Sequence, residues 1–155
     1  MRPAAVSELR PAAMTRLQPT AATGIRGLIA VATAVTGFVH ANLYVDGGYR
    51  AIHVVGPSFL LLSSGAFAVA ALLLISGSPV LRLGAAAVAA GALGGFVMSR
   101  TVGVFGFTER GLQPAPQALI SLISELGALA LLLCWGAMIR RPRAAAPVPA
   151  GAAVR

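Results

Sequence analysis

The sequence predicts an all-α membrane protein: a four-helix transmembrane bundle with both termini in the cytoplasm. Three observations predict it. Of the 155 residues, 57% are hydrophobic and only 10% are charged. Ordinary soluble domains carry roughly 25% charged residues, so this chain lacks the polar surface to cover one. The apolar residues gather into four runs of 21 to 23 residues, at 25–45, 54–76, 81–103 and 117–139. The third observation is the placement of the arginines. With the N-terminus inside, Arg2, Arg10, Arg16, Arg26, Arg82, Arg140, Arg141, Arg143 and Arg155 lie on the inner side, and only Arg50, Arg100 and Arg110 lie outside. Cytoplasmic loops carry the excess of basic residues, which sets the orientation.

Each run is long enough to span. About 20 residues at a rise of 1.5 Å cross a hydrocarbon core of about 30 Å, and backbone in lipid must satisfy its own hydrogen bonds, so each run is a helix. Residues 1–24 precede the first run and are expected to be a disordered cytoplasmic tail, with Arg2, Arg10 and Arg16 among alanines and prolines. The transmembrane domain is expected over 25–140. "DGG", "SGSP" and "ERGLQPAP" supply turn chemistry between the runs. Pro79 and Pro116 stand near helix starts, where the missing N–H costs nothing. The Pro, Ala and Arg stretch 141–155 is expected to be a second disordered tail. The localisation that follows is the cell (plasma) membrane, multi-pass.

Charge and cysteine usage exclude several classes. The net charge of +8 comes from arginines that flank apolar spans and form no basic domain, so no nucleic-acid partner is expected. Cys134 is the single cysteine and stands in "LLLCWGAM", which predicts a buried, inert thiol. Neither a phosphate-binding glycine loop nor a catalytic triad is present.

Along the third run, Ala87, Gly91, Gly95, Ser99 and Gly103 recur every four residues. Such a ladder of small residues predicts a helix-packing face, within the bundle or in a homo-oligomer.

The polar chemistry concentrates in "HANLYVDGGYRAIH", which holds both histidines and both tyrosines. His40, Tyr44, Asp46, Tyr49, Arg50 and His53 lie on or between the first two helices at the outer side. Helix ends on one side of a bundle converge, so Arg100, Glu109 and Glu125 join them as candidates for one outward-facing polar site. Thr33, Thr36 and Gly37 share the helix face of His40. Glu125 stands eight residues past Gln117, roughly 12 Å deep. A carboxylate there needs a partner, water or a proton. One reading pairs it with Arg100 across two helices; the other makes it a titrating group on a proton, ion or substrate path. The competing reading of the surface residues is interfacial anchoring by Tyr44, Tyr49, Arg50 and His53.

No catalytic residue, metal site or cofactor is predicted. His40 and His53 as axial haem ligands would sit on consecutive helices joined by a short loop, with His53 at the rim. Their spacing matches no zinc pattern.

The first helix, "IRGLIAVATAVTGFVH", resembles the opening helix of DoxX-like proteins, with Arg26, Gly37 and His40 at the arginine, glycine and basic positions. That resemblance implies a four-span bundle and a link to redox or quinone systems. "GYRAIHVVGPSFLL" and "GGFVMSRTVGVFGF" resemble segments of small bacterial four-span proteins, a likeness that carries no activity. Three functions follow as expectations. The first is a small non-enzymatic membrane protein, an accessory subunit beside a membrane-protein partner. The second is a proton-coupled transporter using Glu125. The third is a DoxX-like redox or quinone-associated protein.

Overall fold

Four long helices account for most of the described chain. The computed structural model describes the backbone of residues 10–140 and the side chains of residues 21–139. The tail expected at 141–155 and the first nine residues lie outside the described residues. In chain order the helices are α1 (Arg10–Val45), α2 (Val55–Ile75), α3 (Pro79–Arg100) and α4 (Gln117–Arg140). A short 3-10 turn, Tyr49–Ala51, lies between α1 and α2. All four helices contain a stretch long and apolar enough to cross a membrane: Ala21–Val45, Val55–Ile75, Pro79–Arg100 and Gln117–Ile139. The protein is therefore a four-helix membrane bundle.

Two boundaries differ from expectation. Helix α1 begins at Arg10 rather than at residue 25, so helix runs through much of the segment expected to be a tail. Its alanines favour helix, and Pro11 falls in the first turn, where proline is tolerated. Helix α3 stops at Arg100 rather than at Gly103. The Gly103 N–H bonds back to Met98 O at 2.8 Å, and Gly103 takes a φ of +81°, so the chain has already turned.

The long loops 46–54 and 101–116 lie at one end of the bundle, called here the loop end. The α2–α3 turn lies at the other, terminal end. Helix α1 packs on α2 and α4, and α3 closes the bundle between α2 and α4. Helices α1 and α2 approach closely at Gly37. A Cβ there would sit 3.1 Å from Ala66 Cβ and 3.3 Å from Ser63 O of α2. Gly56 plays the same part at the start of α2, where a Cβ would meet the backbone oxygens of Tyr49 and Arg50 at 2.8 and 2.9 Å. These two glycines, rather than those of α3, let backbones touch.

Within the bundle, the ladder on α3 is not a contact face. Ala87, Gly91 and Gly95 are exposed, and a Cβ at Gly91 or Gly95 would meet nothing within 4 Å. Gly103 lies beyond the helix. Ser99 alone of the five is buried within α3, and it belongs to a different stripe, Ala85, Ala89, Ala92 and Ser99. That stripe faces the bundle. In a helix this rich in alanine and glycine, more than one small-residue stripe fits helical spacing, and tertiary packing chooses between them. Cys134 is exposed too, so the expectation of a buried thiol fails. It shares α4 with Trp135, and the indole takes the inward position instead.

Apolar clusters close both ends. Ile29, Ala30, Leu73, Ala85 and Trp135 fill the terminal half. Val39, Leu43, Tyr49 and Val55 fill the loop end. Between them lies a layer of buried polar side chains.

Candidate binding site

The buried polar layer is built by α1 and α4. Thr36 Oγ1 and Ser124 Oγ lie 3.0 Å apart and tie the two helices at mid-depth. Because the helices run antiparallel, the next turn toward the loop end brings His40 on α1 level with Ser121 on α4. His40 Nδ1 lies 2.9 Å from Thr36 O. A carbonyl only accepts, so Nδ1 donates, and Nε2 of the neutral ring carries a lone pair. Ser121 Oγ donates to Glu125 Oε1 at 2.5 Å. Glu125 is 1% exposed, and its Oε2 has no hydrogen-bond partner. A buried polar atom left unpaired is costly, and it calls for a proton, a water or a further group.

A cavity of about 340 Å³ lies beside this layer. Its deep end is lined by His40, Ser121 and Glu125, and its walls by Phe59 and Leu62 of α2 and Phe96 of α3. Ser58, Gly91, Gly95 and Met98 also line it and are exposed. The cavity therefore opens sideways, between α2 and α3. The exposed Gly91 and Gly95 of the α3 ladder stand at this opening.

The loop end roofs the cavity. Tyr49 stacks on Phe59, with ring centres 5.0 Å apart, and meets the edge of Phe107 at 5.7 Å. Its hydroxyl donates to Glu109 Oε1. Burial, followed by the hydrogen bond and the negative charge of Glu109, raises the Tyr49 pKa above its ordinary value, so the hydroxyl remains a donor. Glu109 Oε2 pairs with Arg100 Nη1 at 3.1 Å. The Arg100 guanidinium also donates to Gly111 O at 2.7 Å and Gln113 O at 2.5 Å, and lies over Phe96 with 3.5 Å to the ring centre. One arginine thus fastens the 101–116 loop across the cavity.

The expected pairing of Arg100 with Glu125 is not what the structure holds. Arg100 pairs with Glu109, and Glu125 takes its bond from Ser121. The reason is reach. Arg100 ends α3, whereas Glu125 lies eight residues into α4, about 12 Å deeper. The returning loop supplies a nearer carboxylate.

Of the residues grouped from sequence, His40, Tyr49, Arg100, Glu109 and Glu125 line one cavity. Tyr44, Asp46, Arg50 and His53 do not. Asp46 accepts from Asn42 Nδ2 at 2.7 Å at the end of α1, and Arg50 and His53 are exposed in the loop. Ser121 and Ser124 were missed. The signal for Ser121 was its place four residues before Glu125, on the same helix face. Among the described residues, no three His, Cys, Asp or Glu side chains group as metal ligands.

Comparison of the chain with protein-family models, with curated proteins and with solved structures finds no match.

Proposed function

We propose that the protein is a small non-enzymatic membrane protein that holds an amphipathic small molecule. The molecule enters from the bilayer between α2 and α3. The observation that carries this reading is the unpartnered Glu125 Oε2 at the deep end of a cavity whose doorway is open to the side. Pockets of this kind are largely apolar, with a few convergent polar groups, and start near 300 Å³. The role of an accessory subunit, presenting or storing such a molecule beside a membrane-protein partner, is compatible with this reading. Proton-coupled transport through Glu125 would require a second opening past Ile29, Leu73, Ala85 and Trp135, a packed apolar cluster. That plug favours binding over transport. A DoxX-like redox role would place its quinone in the same cavity, against His40.

The test is what co-purifies. Protein extracted in mild detergent should carry a small amphipathic molecule, detected by mass spectrometry of a solvent extract and enriched over the surrounding lipid. Gly95→Leu places a side chain in the doorway, where a Cβ meets nothing within 4 Å, and should lose most of it. An extract of the native protein no richer than that of Gly95→Leu would defeat the proposal.

The proposed orientation puts the loop end outside, in the cell membrane, on the strength of the arginine bias. Reporters fused at Arg155 and inserted near Gly47 should report cytoplasm and exterior respectively. The same side at both positions would overturn the orientation.

A further inference from the structure

His40 and Glu125 both line the deep end of the cavity, and no described cation pairs with either. His40 presents the Nε2 lone pair, because Nδ1 donates to Thr36 O. Glu125 presents Oε2, because Oε1 is taken by Ser121. The charged side chains of the bundle are engaged or remote. Arg100 is paired with Glu109 at the roof. Arg82 lies over Trp135 and Arg26 reaches Leu74 O, both toward the terminal end. Arg50 and Arg110 are exposed in the loops. An ionised Glu125 therefore has no countercharge among the described residues, and a lone buried charge is the most costly polar arrangement a protein can hold.

The occupant that best relieves this arrangement brings hydrogen-bond donors and one positive charge. We propose that the cavity binds a lipophilic primary amine as its ammonium ion. The ammonium group donates to Glu125 Oε2, with His40 Nε2 as a second acceptor at the same end. The apolar part lies along Phe59 and Leu62 and leaves through the doorway at Gly91 and Gly95. This rests on the reading of the cavity as a binding site and names the ligand's class. An alcohol of the same length offers a donor without the charge. A carboxylate adds a second negative charge beside Glu125. The order of affinity is therefore amine, then alcohol, then acid.

The experiment measures binding of octylamine, octanol and octanoate to the full chain in phosphatidylcholine nanodiscs, with empty nanodiscs subtracted. Octylamine should bind roughly 10- to 100-fold more tightly than octanol, the worth of a charge-assisted hydrogen bond. Glu125→Gln, which keeps shape and removes charge, should abolish that preference, so that amine and alcohol bind alike. Gly95→Leu should weaken both. Equal binding of amine and alcohol by the native protein overturns the amine assignment and leaves the cavity reading standing. No saturable binding of any of the three, unchanged by Gly95→Leu, overturns both. If Glu125→Gln does not fold, the native protein's own preference between amine and alcohol decides the matter.

Discussion

Gly37→Leu is expected to destabilise the bundle by roughly 3 kcal/mol, at the upper end of the usual cost of overpacking. Gly95→Leu is expected to leave stability unchanged or slightly raised. The contrast follows from what surrounds each glycine. At Gly37 even a Cβ would stand 3.3 Å from a backbone oxygen of α2 and 3.1 Å from the Ala66 Cβ. Backbone cannot step aside as a flexible side chain does, so α1 and α2 must part. In lipid this loss is severe. Apolar side chains gain little by leaving lipid for protein, so close van der Waals contact and interhelical hydrogen bonds hold membrane helices together. At Gly95 a Cβ would meet nothing within 4 Å, and leucine is the better helix former. Unfolding of both variants in mixed detergent micelles would measure the difference. Equal losses would show that α3 packs through its glycines after all, against a second copy of the chain.

That contrast also shows what could be read from the residues alone. Four spans were legible because composition and run length decide them: few charges, and four apolar stretches of the length a bilayer needs. The depth of Glu125 and the gathering of His40, Tyr49, Arg100 and Glu109 at one end were legible because helix rise and antiparallel order fix the level of each side chain. The facing side of α3 was not. Ala87, Gly91 and Gly95 match a packing ladder as well as Ala85, Ala89 and Ala92 do, and only the position of the neighbouring helices separates them. Gly37 was noticed as a companion of His40, yet nothing in its spacing said that α2 would cross there. The partner of Arg100 was hidden for a further reason. The 101–116 loop folds back through Gly103, Gly106 and Gly111, all with positive φ, and the Glu109 N–H bonds to Ser99 O at 2.9 Å. A path with three such turns is not set by local spacing, so the carboxylate it delivers could not be foreseen.

Arg100→Gln should release that loop at a cost of about 2–3 kcal/mol. Breaking a fully buried ion pair costs about 3–5 kcal/mol. The side chains here retain 13% and 16% exposure, which lets water meet part of the charge left behind and lowers the figure. The loss also includes the bonds to Gly111 O and Gln113 O, so the loop loses its anchors as well as its charge partner. A double-mutant cycle separates the two carboxylates that share the cavity with Arg100. Coupling with Glu109→Gln should be about 1–2 kcal/mol, because neither single partner is left stranded in the double variant. Coupling with Glu125→Gln should stay within about 0.5 kcal/mol, the additivity expected of groups that do not touch. The readout is unfolding in detergent, with Tyr49→Phe as a control that removes the hydroxyl bond to Glu109 and keeps the stacking on Phe59. A large coupling between Arg100 and Glu125 would mean that the arginine reaches down into the cavity and neutralises the buried carboxylate. The roof would then lose its anchor, and the charge offered to a cationic ligand would already be spent. A coupling confined to Glu109 leaves Glu125 free to face whatever enters between α2 and α3.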